Sequence, residues 1–298
     1  MPELPDIELY LDALRRRLGG HTLERVVLRN PFVLRSVEPK LDVVFGRPVA
    51  GLRRLGKRIV FEIEDEFYLV LHLMIAGRLR WKDAGAKVPP KAGLAVFEFT
   101  SGAVLLTEAG KQRRASLHVV RGEHALREYD RGGLEVLQAS FEEFAARVAA
   151  GNHSVKRALC DPRLFSGIGN AYSDEILHAA RLSPFKRTQS LSYAEVARLF
   201  DASRATLQTW VERLKQETGT RFPEKVTAFR PEMAVHGKFG EPCPECGAKV
   251  QRIVYASNET NYCPVCQTEG KLLRDRALSR LLRDDWPRSI EELEETNR

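Results

Sequence analysis

Apolar and polar positions alternate along this chain with two different periods. Ile7, Tyr10, Leu11, Leu14 and Leu18 recur at helical spacing and predict a helix over Pro5–Leu18. Pro5 suits its first turn, and Gly19-Gly20 ends the pattern. Asp6 and Glu8 at one end, and Arg15, Arg16 and Arg17 at the other, complement the helix dipole. From Leu23 to about Val120 the pattern shortens into β-rich runs: Ile59–Ile63, Tyr68–Leu73, Leu94–Thr100, Ala103–Thr107 and Leu117–Val120. Clusters of Gly, Asp and Lys separate them, as hairpin connections do. The helical period returns at Phe141–Ala150, Ser154–Leu159, Ala171–Ala180 and Tyr193–Glu217.

These periods predict an α+β, multidomain chain. Its expected parts are an N-terminal domain over 1–120, a polar linker over 121–137, a helical domain over 138–230, a cysteine-bearing module over 235–267 and a tail over 268–298. No internal repeat or low-complexity tract is present.

Composition narrows the class. The chain has 298 residues, 43% hydrophobic and 29% charged, which is too apolar for a disordered chain. No window reaches the roughly 18 uninterrupted apolar residues of a membrane span. Glu3, Asp6 and Glu8 replace the basic start of a secretory signal, so a cytoplasmic protein with no membrane association is expected. The net charge is +7, and the stretch from Lys271 onward is neutral, so the excess lies on residues 1–270. It fits a polyanionic partner or ordinary solubility charge equally well.

Cys243-Pro-Glu-Cys246 and Cys263-Pro-Val-Cys266 enclose 16 residues. Two such turns can each give two thiolates to one tetrahedral Zn²⁺, with a β-hairpin between them. A disulfide pair and a redox dithiol are the alternatives; the missing secretory signal and the missing βαβ context weigh against them. Four thiolates close the coordination sphere, so such a zinc is structural, one per chain. Cys160, in an apolar helical run, reads as a core residue.

Three separated stretches carry a resemblance. The start Met1-Pro2-Glu3-Leu4-Pro5-Asp6 resembles the Pro-Glu-Leu-Pro-Glu signature of the formamidopyrimidine-DNA glycosylase and endonuclease VIII family. Lys156–Glu175 resembles that family's helix–two-turn–helix, and Val235–Gln267 its zinc finger. The order is the family's, and the match covers about residues 1–267.

The resemblance implies an N-terminal β-sandwich with flanking helices, a helix–two-turn–helix domain and a zinc β-ribbon, acting as a monomer on damaged double-stranded DNA held in the cleft between the halves. It implies a bifunctional glycosylase and abasic-site lyase. After removal of Met1, the secondary amine of Pro2 would attack C1′; an α-amino group titrates low enough to be partly neutral at pH 7. Glu3 would act as general acid/base, and Lys57 would contact phosphate and assist elimination. Asp6, standing for the family's second Glu, would keep a positioning role. His72, Arg113, Lys156 and Asn170 are the implied DNA contacts, with Met74 or Ile75 filling the space left by a flipped base. Gly167 and Gly169 would let backbone N–H groups approach a phosphate beside Asn170.

Two positions depart from the family pattern. Asn258 stands where the finger hairpin carries an Arg, so Arg252 or Lys249 compensates or the finger grips less tightly. Ala115 stands where the Arg-x-Phe motif places an aromatic ring. The alternative function is therefore a damage- or structure-specific DNA-binding protein with little base excision.

Overall fold

The computed structural model describes residues 1–85, 93–109, 112–255, 258–274 and 292. The chain divides into two compact units, Met1–Gly133 with Thr209–Ala228, and Leu134–Gln208 with Phe229–Arg298. Most of the expected tail over 268–298 lies outside the described residues.

The first unit opens with α1 (Leu4–Leu18), and the five residues that predicted it are all fully buried. Eight strands follow: β1 (Thr22–Leu28), β2 (Arg47–Leu55), β3 (Arg58–Ile63), β4 (Phe67–His72), β5 (Gly77–Lys82), β6 (Gly93–Phe99), β7 (Gly102–Glu108) and β8 (Ser116–Arg121). They pair antiparallel in the order β5-β7-β6-β1-β2-β3-β4-β8. β3 and β6 are three strands apart in that order, about 14 Å along a flat sheet. Yet the Phe61 ring of β3 lies 5.9 Å from Phe97 and 6.3 Å from Phe99 of β6, all three buried. The sheet therefore folds over between β1 and β2 into two facing layers, a β-sandwich with an aromatic centre.

Three of these strands, β1, β2 and β5, are not among the five runs named from the sequence. β2 carries Arg47, Arg53 and Arg54 on a strand with few fully buried positions, and β5 alternates Arg78, Leu79, Arg80, Trp81 with only Gly77 and Leu79 buried. Outside the sandwich, α2 (Glu123–Arg127) places Leu126 against Val60, Val70 and Val120.

The segment after α6 (Tyr193–Thr218) completes this unit. Arg16 and Arg17 donate to the carbonyls of Gly219 (3.0 Å) and Thr220 (2.8 Å). The Phe222 ring lies 6.0 Å from Tyr10 and 6.4 Å from Trp81, with the Arg17 guanidinium over it. The segment thus runs back along α1 toward that helix's N-terminus.

The second unit is helical, with α3 (Phe141–Ala149), α4 (Val155–Cys160), α5 (Asn170–Ala179) and most of α6. Ser140 and Glu143 close a capping box on α3, as their spacing allows. Phe144 packs on Phe165 at 5.0 Å and on Phe200 at 5.3 Å. A two-stranded ribbon, β9 (Gln251–Tyr255) with β10 (Asn258–Tyr262), and a short α7 (Pro264–Thr268) follow.

Candidate functional site

The N-terminus is built as a buried helix start. Pro2, Glu3 and Asp6 are all buried. The Glu3 carbonyl accepts from Ile7 N at 2.9 Å, and the Asp6 carboxylate accepts from Glu3 N at 3.0 Å. Asp6 therefore fixes the backbone that carries Glu3, a task one methylene fewer than Glu still permits.

The terminal amine in the structure is that of Met1. Burial pushes it below its ordinary value of 8.0; Glu3 and Asp6 oppose this, while Arg78 and Lys57 reinforce it. Those two cations reach the amine from separate elements. Lys57 sits in the two-residue turn between β2 and β3, where Gly56 adopts φ +60° at the first position. Arg54 fastens that turn, donating to the Gly56 carbonyl at 3.0 Å and to Glu8 of α1 at 3.0 Å.

His72 ends β4, paired across the ladder with Arg58 and with Ser116. Its imidazole is depressed from 6.5 to about 4, first by burial and then by Arg58, Lys57 and His118. It is a neutral, half-buried group in a cationic neighbourhood.

The residues expected to enter DNA lie on two loops. Met74 and Ile75 occupy the turn from β4 to β5, with Met74 at φ +53° and Ile75 59% exposed. A Cβ on Gly77 would stand 2.2 Å from the Leu73 carbonyl oxygen, so only glycine closes this turn. Arg113 is exposed on the β7–β8 connection. Ala115 is buried, its N–H held with that of Arg114 by the buried Glu108 carboxylate at 3.0 and 2.9 Å.

In the second unit, Gly169 is the N-cap of α5 and gives it no side-chain cap. Asn170 begins that helix, its amide donating to the Glu259 carbonyl of β10 at 2.8 Å. Lys156 is turned inward. Its ammonium donates to the Asn170 carbonyl and to Asp174, each at 2.6 Å. Asp174 also meets His236 at 2.8 Å, and Glu175 accepts from the N–H groups of Ala234, Val235 and His236. One side of α5 is thereby tied to the approach of the cysteine module.

The ligand atoms of Cys243, Cys246, Cys263 and Cys266 all lie within 4.8 Å of one another. Zinc–sulfur bonds of about 2.3 Å in a tetrahedron need sulfurs about 3.8 Å apart. The Cys243–Cys266 and Cys246–Cys263 separations are 3.9 and 3.4 Å, so the set fits the ion. The His178 ring nitrogen lies 3.2 Å from the Cys243 sulfur, an outer-shell contact from α5. The chain carries one structural zinc, held by these four thiolates.

Three stretches match known domains: residues 1–115 the formamidopyrimidine-DNA glycosylase N-terminal domain, 133–222 its H2TH domain, and 240–268 a zinc finger found in FPG and IleRS. A formamidopyrimidine-DNA glycosylase of Desulfitobacterium hafniense is 33% identical over 283 residues, covering 90% of this chain and all of the relative. The chain belongs to the formamidopyrimidine-DNA glycosylase family. A Thermus thermophilus member is 34% identical over 279 residues, covering 91% of this chain and all of its own length. Among solved members, Lactococcus lactis formamidopyrimidine-DNA glycosylase bound non-covalently to DNA with an abasic site superposes with a TM-score of 0.77. It is 27% identical and covers 89% of this chain and 99% of that one. MutM in complex with DNA containing carbocyclic 8-oxo-G gives 0.79 at 26% identity, covering 90% and 100%.

The fold expected from the sequence is the one found in this family. Arg78, Glu108 and the Phe222 segment were not singled out in the sequence. Arg78 and Glu108 act on backbone groups, which leave no mark in a residue pattern. Among the described residues no helix is long and apolar enough to cross a membrane.

Proposed function

We propose that this chain excises damaged bases from DNA and then cleaves the strand at the abasic site, with the Pro2 amine as nucleophile once Met1 is removed. The observation that carries this reading is the setting of the amino terminus. Pro2 is buried at a helix start beside the buried Glu3, and the amine that precedes it, on Met1, is pushed down by burial, with Arg78 and Lys57 adding to that. A neutral amine has the lone pair that attack requires.

The amine attacks C1′ as the bond from C1′ to the base breaks. The departing base takes up the proton released by the amine, and the C1′–O4′ bond then breaks as O4′ takes a proton from Glu3, so that the nitrogen lone pair closes the C1′=N⁺ bond. The resulting iminium acidifies the C2′ proton, and its loss expels the 3′ phosphate. Water then releases Pro2. Lys57, from its fastened turn, contacts the phosphate beside the lesion, and His72 adds a neutral hydrogen-bonding group there.

In the second unit, Asn170 and the N-terminus of α5 offer donors to a phosphate. Lys156 supports that contact through the Asn170 carbonyl. Ile75 or Met74, with Arg113, fills the space left by the flipped nucleotide. Zinc supplies folding energy to the ribbon and no chemistry. Family membership and the intact Pro2–Glu3 start favour this reading over a binding protein that lacks excision.

Borohydride reduces an iminium to a stable cross-link, which gives the test. Protein lacking Met1 should be trapped on abasic-site DNA, and Lys57→Ala should still be trapped. Glu3→Gln should lose base excision yet keep part of the reaction at a pre-formed abasic site. Cleavage by Met1-retaining protein at the native rate, with trapping mapped to Lys57, would refute the role of Pro2.

A further inference from the structure

Arg78 is the second residue of β5, directly after the turn that carries Ile75. Its guanidinium fans across three main-chain oxygens. Nε donates to the Val226 carbonyl at 2.5 Å, and Nη1 donates to the carbonyls of Gly77 at 2.7 Å and Ile75 at 3.2 Å. Ile75 and Gly77 belong to the turn; Val226 belongs to the segment that returns along α1 after α6. That segment is already anchored through Gly219, Thr220 and Phe222, and Arg78 adds a further anchor at Val226. Among the described residues the Arg78 side chain pairs with no carboxylate. A planar five-donor group suits this task, since a lysine ammonium cannot span the same fork.

We infer that Arg78 is a positioning residue that locks the Leu73–Gly77 turn to the returning segment at Val226, so that Ile75 enters DNA from a loop held at both ends. This rests on the proposed function, taking Ile75 as the side chain that fills the vacated space. The residue's charge also acts on the terminal amine, which places the clamp beside the reacting end of the chain. Without Arg78, this exposed turn keeps the hydrogen bond from Gly77 N–H to the Leu73 carbonyl at 2.9 Å and the His72–Met74 contact at 2.6 Å, neither of which holds Ile75 itself. With Arg78 in place, the turn's carbonyls are fixed from behind and the Ile75 side chain is left facing outward.

The test uses the full zinc-loaded chain lacking Met1, and a duplex with 2-aminopurine opposite a pre-formed abasic site. The fluorescence change reports side-chain entry, and borohydride trapping reports attack by the amine. Arg78→Gln should slow the fluorescence step about tenfold, as should Ile75→Ala, and the double variant should be no slower than either, because both act through one loop. Arg78→Lys, which keeps the charge but not the fork, should also slow entry, and it serves if Arg78→Gln does not fold. An Arg78 variant that folds and inserts at the wild-type rate, or single effects that multiply in the double variant, would overturn the inference. Wild-type protein that is never trapped would refute the role of Pro2 instead, leaving the fluorescence result to decide the clamp.

Discussion

Gly77 and Glu108 face each other across the β5–β7 ladder, and the loops bearing Ile75 and Arg113 both leave the sandwich from that rung. At their other ends the same two loops meet at His72 and Ser116, paired across β4 and β8. Each loop joins one layer of the sandwich to the other, so the two run side by side by construction. Glu108 adds the lock, its carboxylate holding the amides of Arg114 and Ala115.

Glu108→Ala should therefore free the Arg113 loop. Two amide hydrogen bonds to a buried carboxylate are lost, which should cost about 2–3 kcal/mol of stability in urea denaturation. Discrimination between bases opposite the lesion should relax as well, measured as the ratio of excision rates across the four opposing bases. Unchanged stability and ratios would show that the loop is held by something else.

His72 gives a pH prediction with a definite sign. In the folded protein it is neutral down to about pH 4, whereas the unfolded chain takes up a proton near 6.5. The unfolded state thus binds more protons between these values, and stability falls as pH drops from 6.5 toward 4. His72→Gln should remove that part of the slope. Comparing denaturation at pH 7 and 4.5, the wild type should lose about 1–2 kcal/mol more than the variant. An identical loss would assign the slope to other groups, His118 first, whose imidazole is depressed in the same direction.

The ribbon's missing arginine can be tested by restoring it. Arg252 pairs with Glu259 at 3.7 Å and stacks over Phe239 at 4.3 Å, so it is already engaged within the ribbon. Asn258 is exposed at the start of β10. Asn258→Arg should tighten binding and steepen the logarithmic salt dependence by about 0.9, the effect of one more neutralised phosphate. An unchanged slope would mean that position 258 does not face the DNA backbone.

Removing one zinc ligand should reach beyond the ribbon. Cys263→Ser should lose the metal in elemental analysis, and with it the register that presents the Glu259 carbonyl to Asn170. DNA affinity should fall together with zinc content. Full affinity in a zinc-free variant would separate the ribbon from DNA binding.

The sequence was most informative where chemistry needs a particular side chain. The cysteine spacing marked the zinc set directly, since the four sulfurs do converge. It was less informative where a side chain serves the backbone. Arg78 and Glu108 bind carbonyls and amides, and any polar neighbour would have read the same. Lys156 was expected as a DNA contact, and its inward turn was hidden because its partner Asp174 is 18 residues away and only the packing of α4 on α5 brings them together. The sandwich fold-over was hidden for a similar reason, since Phe61 and Phe97 meet through topology and not through periodicity.

The return of residues 209–228 to the first unit also bears on how the protein is made. During synthesis the sandwich emerges first, but Phe222 and Val226 leave the ribosome only after α3, α4, α5 and α6. Until then Tyr10 and Trp81 lack an aromatic neighbour and Arg78 lacks the Val226 carbonyl. The nascent N-terminal half is consequently an unfinished domain, and the surroundings of Tyr10, Trp81 and Arg78 are completed only when most of the chain has been translated. A fragment ending at Gly133 would retain the strands and Pro2 yet lack the piece that closes the structure around them.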